Sequence, residues 1–272
     1  METAVSTQSW RCDVRELLLE QVEYRELLTR IIVRDLLLRY KQTIMGFGWA
    51  VFMPLVNTAV FSVIFTRVAP MNTGAPYPLF AYCGLLTWNF FACGLRFSVT
   101  SLTGNHTLVT KVYFPREIFP FSSVLVALVD CMVGSTVLVG LLIYYRVGLS
   151  PALLFLPVVI AIQFAFTAGV ALLLSMANLF FRDVKYLFEV VLTVWMFATS
   201  VLYPIDRVGG RLGALLYLNP MTPIIEAYRS VLLYGHLPPA APFAAASLVA
   251  MSVFFGGWFL FHRAEYRFAE YI

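Results

Sequence analysis

The chain has 272 residues, 60% of them hydrophobic and only 12% charged, with a mean hydropathy of +0.81 and a formal net charge of +4. Soluble domains carry about 25% charged residues, so the composition excludes an ordinary soluble fold and specifies an integral membrane protein. The small positive charge informs through its placement rather than its size, and no nucleic-acid partner is expected.

Residues 1–41 read as an N-terminal segment carrying an amphipathic helix from about Val14 to Lys41. Tyr24, Leu27, Leu28, Ile31, Ile32 and Leu36 fall on one half of the helical wheel, opposite Glu26, Arg30, Arg34 and Lys41. Asp35 and Arg39 break the apolar half but are spaced to pair with each other. Such a helix lies at the headgroup boundary of a membrane or packs on a partner protein. The first forty residues lack the short apolar run of a cleavable signal, so the first span is expected to serve as its own insertion signal.

Runs of roughly 20 apolar residues, free of charge but for Asp130 in the third and Glu189 in the fifth, then mark six spans, at about 47–67, 77–96, 119–144, 153–181, 186–204 and 241–261. The expected fold is all-α and membrane-integral, with a transmembrane domain over 42–265 and a tail over 266–272. Between the second and third spans, Asn105 can cap a short helix that runs through Val112 and stops before Pro115. Asp130 lies near the middle of the third span, where a carboxylate faces the bundle interior or water. It can line a path, or hydrogen bond to hydroxyls such as Ser122, Ser123 or Thr136.

After the fifth span comes a helix too short to cross a membrane. Thr222 is a good N-cap, Pro223 suits the first turn and Gly235 suits a C′ stop. From Pro223 to Tyr234 the helix would be about 18 Å long, against a hydrocarbon core of about 30 Å. It carries Glu226 and Arg229, an i,i+3 pair that lipid would not tolerate unsheltered.

With six spans both termini share a side. That side holds Arg11, Arg15, Arg25, Arg30, Arg34, Arg39, Lys41, Arg96, Lys111, Arg116, Arg182, Lys185, Arg263 and Arg267, against Arg67, Arg146, Arg207, Arg211 and Arg229 on the other. The positive-inside rule places both termini in the cytoplasm. No P-loop occurs, because no lysine follows a glycine, and no Ser-His-Asp arrangement or metal-ligand spacing is present. His106, His236 and His262 read as surface or interfacial residues. No catalytic site, cofactor or metal is expected on this chain.

Several segments resemble one family. Arg39-Tyr-Lys-Gln-Thr-Ile-Met-Gly-Phe-Gly-Trp49 leading to Pro54, Leu108-Val-Thr-Lys-Val-Tyr-Phe-Pro-Arg-Glu-Ile-Phe-Pro120, Phe181-Arg-Asp-Val184, and Asn219-Pro-Met-Thr-Pro223 with Tyr228, Arg229 and Gly235 follow one another in order. They resemble the ABC-2 type permeases that export bacterial surface polysaccharides, most of all those for lipid-linked O-antigen. Teichoic-acid and capsule exporters share the scaffold, and small-lipid or drug exporters and ATP-independent carriers are the more distant alternatives. The resemblance implies a homodimer in the bacterial inner membrane, joined by two copies of a cytoplasmic ABC ATPase that binds the ATP and Mg. It also implies contact with membrane lipids and a lipid-linked polysaccharide as substrate.

Residue roles follow from the resemblance. Asn105, His106, Thr107, Lys111 and Arg116 belong to the segment that couples to the ATPase. Val208–Leu218 and the following short helix form two re-entrant outer helices, with Asn219, Pro220, Pro223, Glu226, Tyr228 and Arg229 in an outer gate. Arg39, Tyr40 and Lys41, beside the flexible Gly46, can receive the pyrophosphate of the substrate or simply anchor the chain by positive-inside charge. Phe188, Trp195 and Tyr203 share a face of the fifth span and, with Asp130, are candidates to line the conduit, although aromatic belts explain the two terminal rings equally.

Overall fold

The computed structural model describes residues 24–41, 43–68, 70, 73–111, 114–148, 150–205, 213, 216–265 and 268. Its helices are α1 (Arg25–Tyr40), α2 (Gly48–Val63, extended by a π-turn over Ile64–Val68), α3 (Tyr77–Val99), α4 (Ser101–Gly104), α5 (His106–Lys111), α6 (Ile118–Tyr144), α7 (Leu156–Phe180, entered by a 3-10 turn at Pro151–Phe155), α8 (Val184–Phe197), α9 (Met221–Leu232) and α10 (Ala240–Ala264). Among the described residues, five helices are long and apolar enough to cross a membrane: α2 with its π-turn, α3, α6, α7 with its 3-10 turn, and α10. Residues 14–23 of the expected N-terminal helix, most of Val208–Leu218, and most of the tail lie outside the described residues.

The expected fifth span, 186–204, does not form as one helix. α8 covers Val184–Phe197, about 21 Å at 1.5 Å per residue, and the chain leaves the helix at Ala198. The reason is a set of side-chain donors from α9 that take over the carbonyls at that point, described below.

α3 is the central helix, buried on nearly every face. Where water is absent, apolar side chains gain little by meeting one another, and close packing of small residues takes over. α3 follows this rule: an added Cβ at Gly94 would stand 3.1 Å from Thr167 of α7, and one at Gly84 would run into the Val201 carbonyl and the Arg229 guanidinium. α6, α7, α2, α8 and α9 pack around it, and α10 packs chiefly on α7. The α7–α10 seam depends on Gly169 and Gly257. A Cβ at Gly169 would lie 2.7 Å from the Phe254 backbone, and one at Gly257 would lie 2.7 Å from the Gly169 carbonyl. Gly257→Ala therefore forces two backbones apart, at a cost of about 1–3 kcal/mol. A lowered melting temperature in detergent is the expected result, and Gly256→Ala, where a Cβ meets open space, is the matched control.

α1 packs against α6. Tyr24, Leu27, Leu28 and Ile31 join Phe114, Phe119 and Phe121 in an apolar cluster at the end of the bundle that carries most of the basic residues. The expected Asp35–Arg39 pair is not made. Asp35 instead accepts from Arg34 at 2.7 Å and from Ser122 of α6 at 3.3 Å, which leaves Arg39 for a partner on α6.

Apolar faces of α2 and α8 are among those left uncovered. On α2, Val56, Val60 and Val63 are exposed, while on α8 Tyr186, Leu187, Val190, Val191, Val194 and Phe197 all point away from the core. Trp49 and Phe52 are also exposed, whereas Phe61 and Phe65 pack inward against Tyr77 and its neighbours.

Candidate functional site

Where α8 ends, the backbone enters a turn beside α3 and exposes carbonyls with no helical partner. In an apolar setting each buried unpaired group costs about 1–3 kcal/mol, so donors must be supplied. α9 supplies them. Arg229, fully buried, donates from Nη1 to the Ser200 carbonyl and from Nη2 to the Val201 carbonyl, both at 2.6 Å. Nη1 also donates to Glu226 Oε1 at 2.8 Å, and the same oxygen accepts from Ser200 Oγ at 3.0 Å. The guanidinium lies 3.5 Å from the centroid of the Phe80 ring. Because Nη2 sits against Gly84, seven residues into α3, the charge is about 10 Å in from the end of that helix.

Asn219 completes the network. Its Nδ2 donates to the Ala198 carbonyl at 3.0 Å and to Thr199 Oγ1 at 2.7 Å, while Oδ1 accepts from Trp195 Nε1 at 3.0 Å and from the Met221 backbone N–H at 3.1 Å. The N-cap position of α9 is Pro220 rather than the expected Thr222, so the helix begins earlier than the sequence suggests, and Asn219 just before it satisfies the first helical N–H. The Asn219 side chain reaches both the end of α8 and the start of α9, and Thr222 is buried inside the first turn. Pro220 and Pro223 fall before and within that turn, where a missing N–H costs nothing. Tyr228 packs among the apolar clusters around α3. Gly235 has φ +70° and lies two residues beyond the C-cap Leu233 rather than at the expected C′ position, and its carbonyl accepts from Ser150 Oγ at 2.6 Å.

The second polar centre is Asp130. Its expected hydroxyl partners bond to carbonyls of their own helix instead: Ser122 and Ser123 to Phe119, and Thr136 to Val133. Asp130 pairs with Arg39 of α1 and accepts from Tyr40 Oη at 2.5 Å. The Arg39 guanidinium also lies 3.8 Å from the centre of the Phe97 ring on α3, and Tyr40 packs on Phe47 with centroids 4.3 Å apart. Gly46, at φ +52°, turns the chain here into α2. Of the expected headgroup residues, Lys41 is exposed, whereas Arg39 and Tyr40 are committed to Asp130.

The conduit candidates on α8 are placed differently from the expectation. Phe188 is buried, and Trp195 meets Phe91 edge-on at 5.0 Å and Phe166 at 6.2 Å, inside the packing of the chain itself. Tyr203 lies beyond the helix and donates to the Phe197 carbonyl at 2.9 Å. Phe188 and Trp195 share a face as the 100° spacing predicts, without Tyr203, and that face turns toward α3 and α7, because the opposite face is the more continuously aliphatic one.

In the second loop the backbone carbonyl of Asn105 accepts from Leu108 and Val109, so α5 does start there. Its side chain does not cap α5; Nδ2 donates back to the Ser101 carbonyl of α4 at 2.8 Å. His106 and Thr107 are exposed. Lys111 ends α5, and residues 112 and 113 lie outside the described residues. Arg116 donates from its backbone N–H to Glu265 Oε1 at 2.8 Å and from Nη1 to the Glu265 carbonyl at 2.6 Å. His262 Nδ1 is 3.3 Å from Glu117 Oε1 and 3.7 Å from Glu265 Oε2, the three groups lying within 4.8 Å of one another. Burial pushes the Glu265 carboxyl above its ordinary value, with Glu117 adding to the shift and the Arg116 N–H and charge opposing it. The cluster joins the loop to the end of α10, a contact across some 145 residues that no local pattern announces.

Comparison with known proteins gives one consistent result. The ABC-2 type transporter family matches residues 26–233. The O-antigen export system permease protein RfbA of Myxococcus xanthus is 30% identical over 255 residues, covering 93% of this chain and 98% of that protein. A protein of the same description from Klebsiella pneumoniae is 29% identical over 252 residues, covering 90% and 94%.

Proposed function

The chain belongs to the ABC-2 type transporter family, and on that premise we propose that it is the membrane-spanning subunit of an ATP-driven exporter of lipid-linked polysaccharide. The observation that carries this reading is similarity along nearly the full length of permeases described as O-antigen export proteins. The polymer class of those relatives makes an O-antigen-like chain the substrate. ATP and Mg bind a separate cytoplasmic ATPase, two copies of which meet α4, α5 and the loop around Arg116. Two copies of the present chain face each other in the bacterial inner membrane with both termini cytoplasmic. The uncovered apolar faces of α2 and α8 support that pairing, since they offer surface for a second copy and for lipid.

The same reading makes α8 and the segment after it the sixth crossing. Ala198–Ile205 continues outward, and α9, with the stretch before it, returns as a re-entrant pair. The buried Arg229 supports this, because a charge about 10 Å below the end of α3 needs the protein-lined setting that a re-entrant helix gives it. Purification from native membranes in mild detergent tests the function. The expected result is an ATPase subunit retained in equal amount with the chain and loss of surface polymer when the gene is deleted. A chain that purifies alone and supports export after ATP depletion would overturn it.

A further inference from the structure

At the basic end of the bundle, the ends of α3 and α7, the start of α8 and the short α4 and α5 converge around a cleft of about 270 Å³. It is lined by Thr100, Thr103, His106, Asn178, Arg182 and Lys185, with Leu179 at its base. Its chemistry is one-sided: two permanent cations, two hydroxyls, an amide and an imidazole, with the intervening Asp183 not part of the lining.

Two features make this cleft receptive to an anion. Arg30, Arg34, Arg39, Arg96 and Arg229 are all paired with carboxylates. Among the described residues, Arg182 and Lys185, like Arg25, Lys41, Arg67 and Arg146, have no carboxylate partner, and only the face of Tyr186 lies under the lysine. Asn178 is 2% exposed, yet its Oδ1 has no hydrogen-bond partner. A buried polar side chain at the edge of a cationic cleft, with no protein partner for one of its atoms, is a group that a water or a ligand in the cleft must complete.

Size and surroundings narrow the ligand. Pockets for drug-sized molecules run from about 300 to 1,000 Å³, so this cleft suits a small anionic group better than a run of sugars. Phe181 and Leu187 stand exposed beside it, and the exposed row of Val190, Val191 and Val194 continues along α8 into the span. A headgroup in the cleft would therefore have an apolar track beside it for its hydrocarbon tail. We infer that this cleft binds a phosphate or pyrophosphate group borne by a lipid at the cytoplasmic surface, with Arg182 and Lys185 as the charged contacts and Asn178, Thr100 and Thr103 as neutral hydrogen-bonding groups. The inference rests on the exporter reading, in which the substrate arrives on such a lipid. It also relocates the phosphate contact from Arg39, whose charge Asp130 already takes.

The test reconstitutes the full chain in phosphatidylcholine nanodiscs doped with polyprenyl pyrophosphate, with phosphatidylglycerol, or with neither. Retained lipid is then quantified by mass spectrometry after washing. The chain is compared with Arg182→Gln/Lys185→Gln, whose positions lie on the cleft rim, with Asn178→Leu, and with Arg67→Gln as a distant control. The expected result is retention of a doped anionic lipid by the unaltered chain and by the control, and about tenfold weaker retention by the double variant. Loss confined to polyprenyl pyrophosphate identifies the substrate carrier as the source, and loss shared with phosphatidylglycerol identifies a resident membrane lipid. Equal retention by the double variant overturns the site. So does equal retention accompanied by lost ATPase copurification, which would make the cleft a dock for an acidic protein surface. Inorganic pyrophosphate binding as tightly as the lipid-borne group would overturn the lipid assignment. Retention is measured without ATP, so a chain found to work without an ATPase would sink the exporter reading and leave this result standing.

Discussion

Arg229→Ala is expected to destabilise the chain by about 3–5 kcal/mol, the cost of removing one member of a buried ion pair. The substitution withdraws the donors from the Ser200 and Val201 carbonyls and strands Glu226 beside them. A melting temperature in detergent lower by an amount on the order of 10 °C is the corresponding readout, with export of polymer reduced at least in proportion to the folded protein that remains. Three further variants separate the contributions. Arg229→Lys keeps the charge but cannot serve both carbonyls and Glu226 with the same planar fork, so it should recover only part of the loss. Arg229→Ala/Glu226→Ala should be less damaging than Arg229→Ala alone, because no carboxylate is then left unpaired. Gly84→Ala deletes no polar group and attacks the fit, since its Cβ would stand 2.4 Å from the Val201 carbonyl and 2.6 Å from Arg229 Nη2. If Arg229→Ala melts with the unaltered protein, the broken end of α8 is held by something other than α9.

This network also shows what the sequence discloses and what it withholds. Five spans are legible because long charge-free runs leave no alternative to a helix, and their bounds agree with the structure to within a few residues. The short α9 is legible for the same kind of reason: prolines and a positive-φ glycine bracket it, and Glu226 with Arg229 requires shelter. The break in α8 is not legible. Ala198, Thr199, Ser200 and Val201 carry no glycine or proline to announce a stop, and the cause lies in Asn219 and Arg229, some 20 to 29 residues further on. Helical periodicity correctly put Phe188 and Trp195 on one face, but an aromatic face satisfies a core as readily as a passage, and only tertiary contacts decide between them. Asp130 was conspicuous as a lone carboxylate, yet its partner is 91 residues away on a helix whose own pattern offered Arg39 a nearer acid, Asp35.

Breaking that long-range pair should have the second large effect, and its form distinguishes a latch from a headgroup contact. Asp130 lies twelve residues into the 27-residue α6, about 18 Å from its start, and its side chain is only 17% exposed, so an unpaired carboxylate there is poorly hydrated. Arg39→Ala leaves Asp130 with Tyr40 alone, and Asp130→Ala leaves Arg39 with only the face of Phe97. Each is expected to cost about 3–5 kcal/mol. If the two side chains act chiefly on each other, the double variant should be no worse than either single one, a coupling of about 3–5 kcal/mol, at or above the upper end of the usual range of about 0.5–3 kcal/mol. Lys41→Ala, at an exposed position, should leave the melting temperature unchanged. Substrate-stimulated ATP hydrolysis in the assembled complex supplies the discriminating measurement. A latch requires Arg39→Ala and Asp130→Ala to lower it together, because both free α1 from α6. A phosphate contact at Arg39 requires Asp130→Ala to preserve or raise it, since removing the carboxylate releases the guanidinium for the substrate. Parallel loss in the two variants therefore assigns α1 the role of a brace on the transmembrane bundle, and opposite responses would return Arg39 to the substrate.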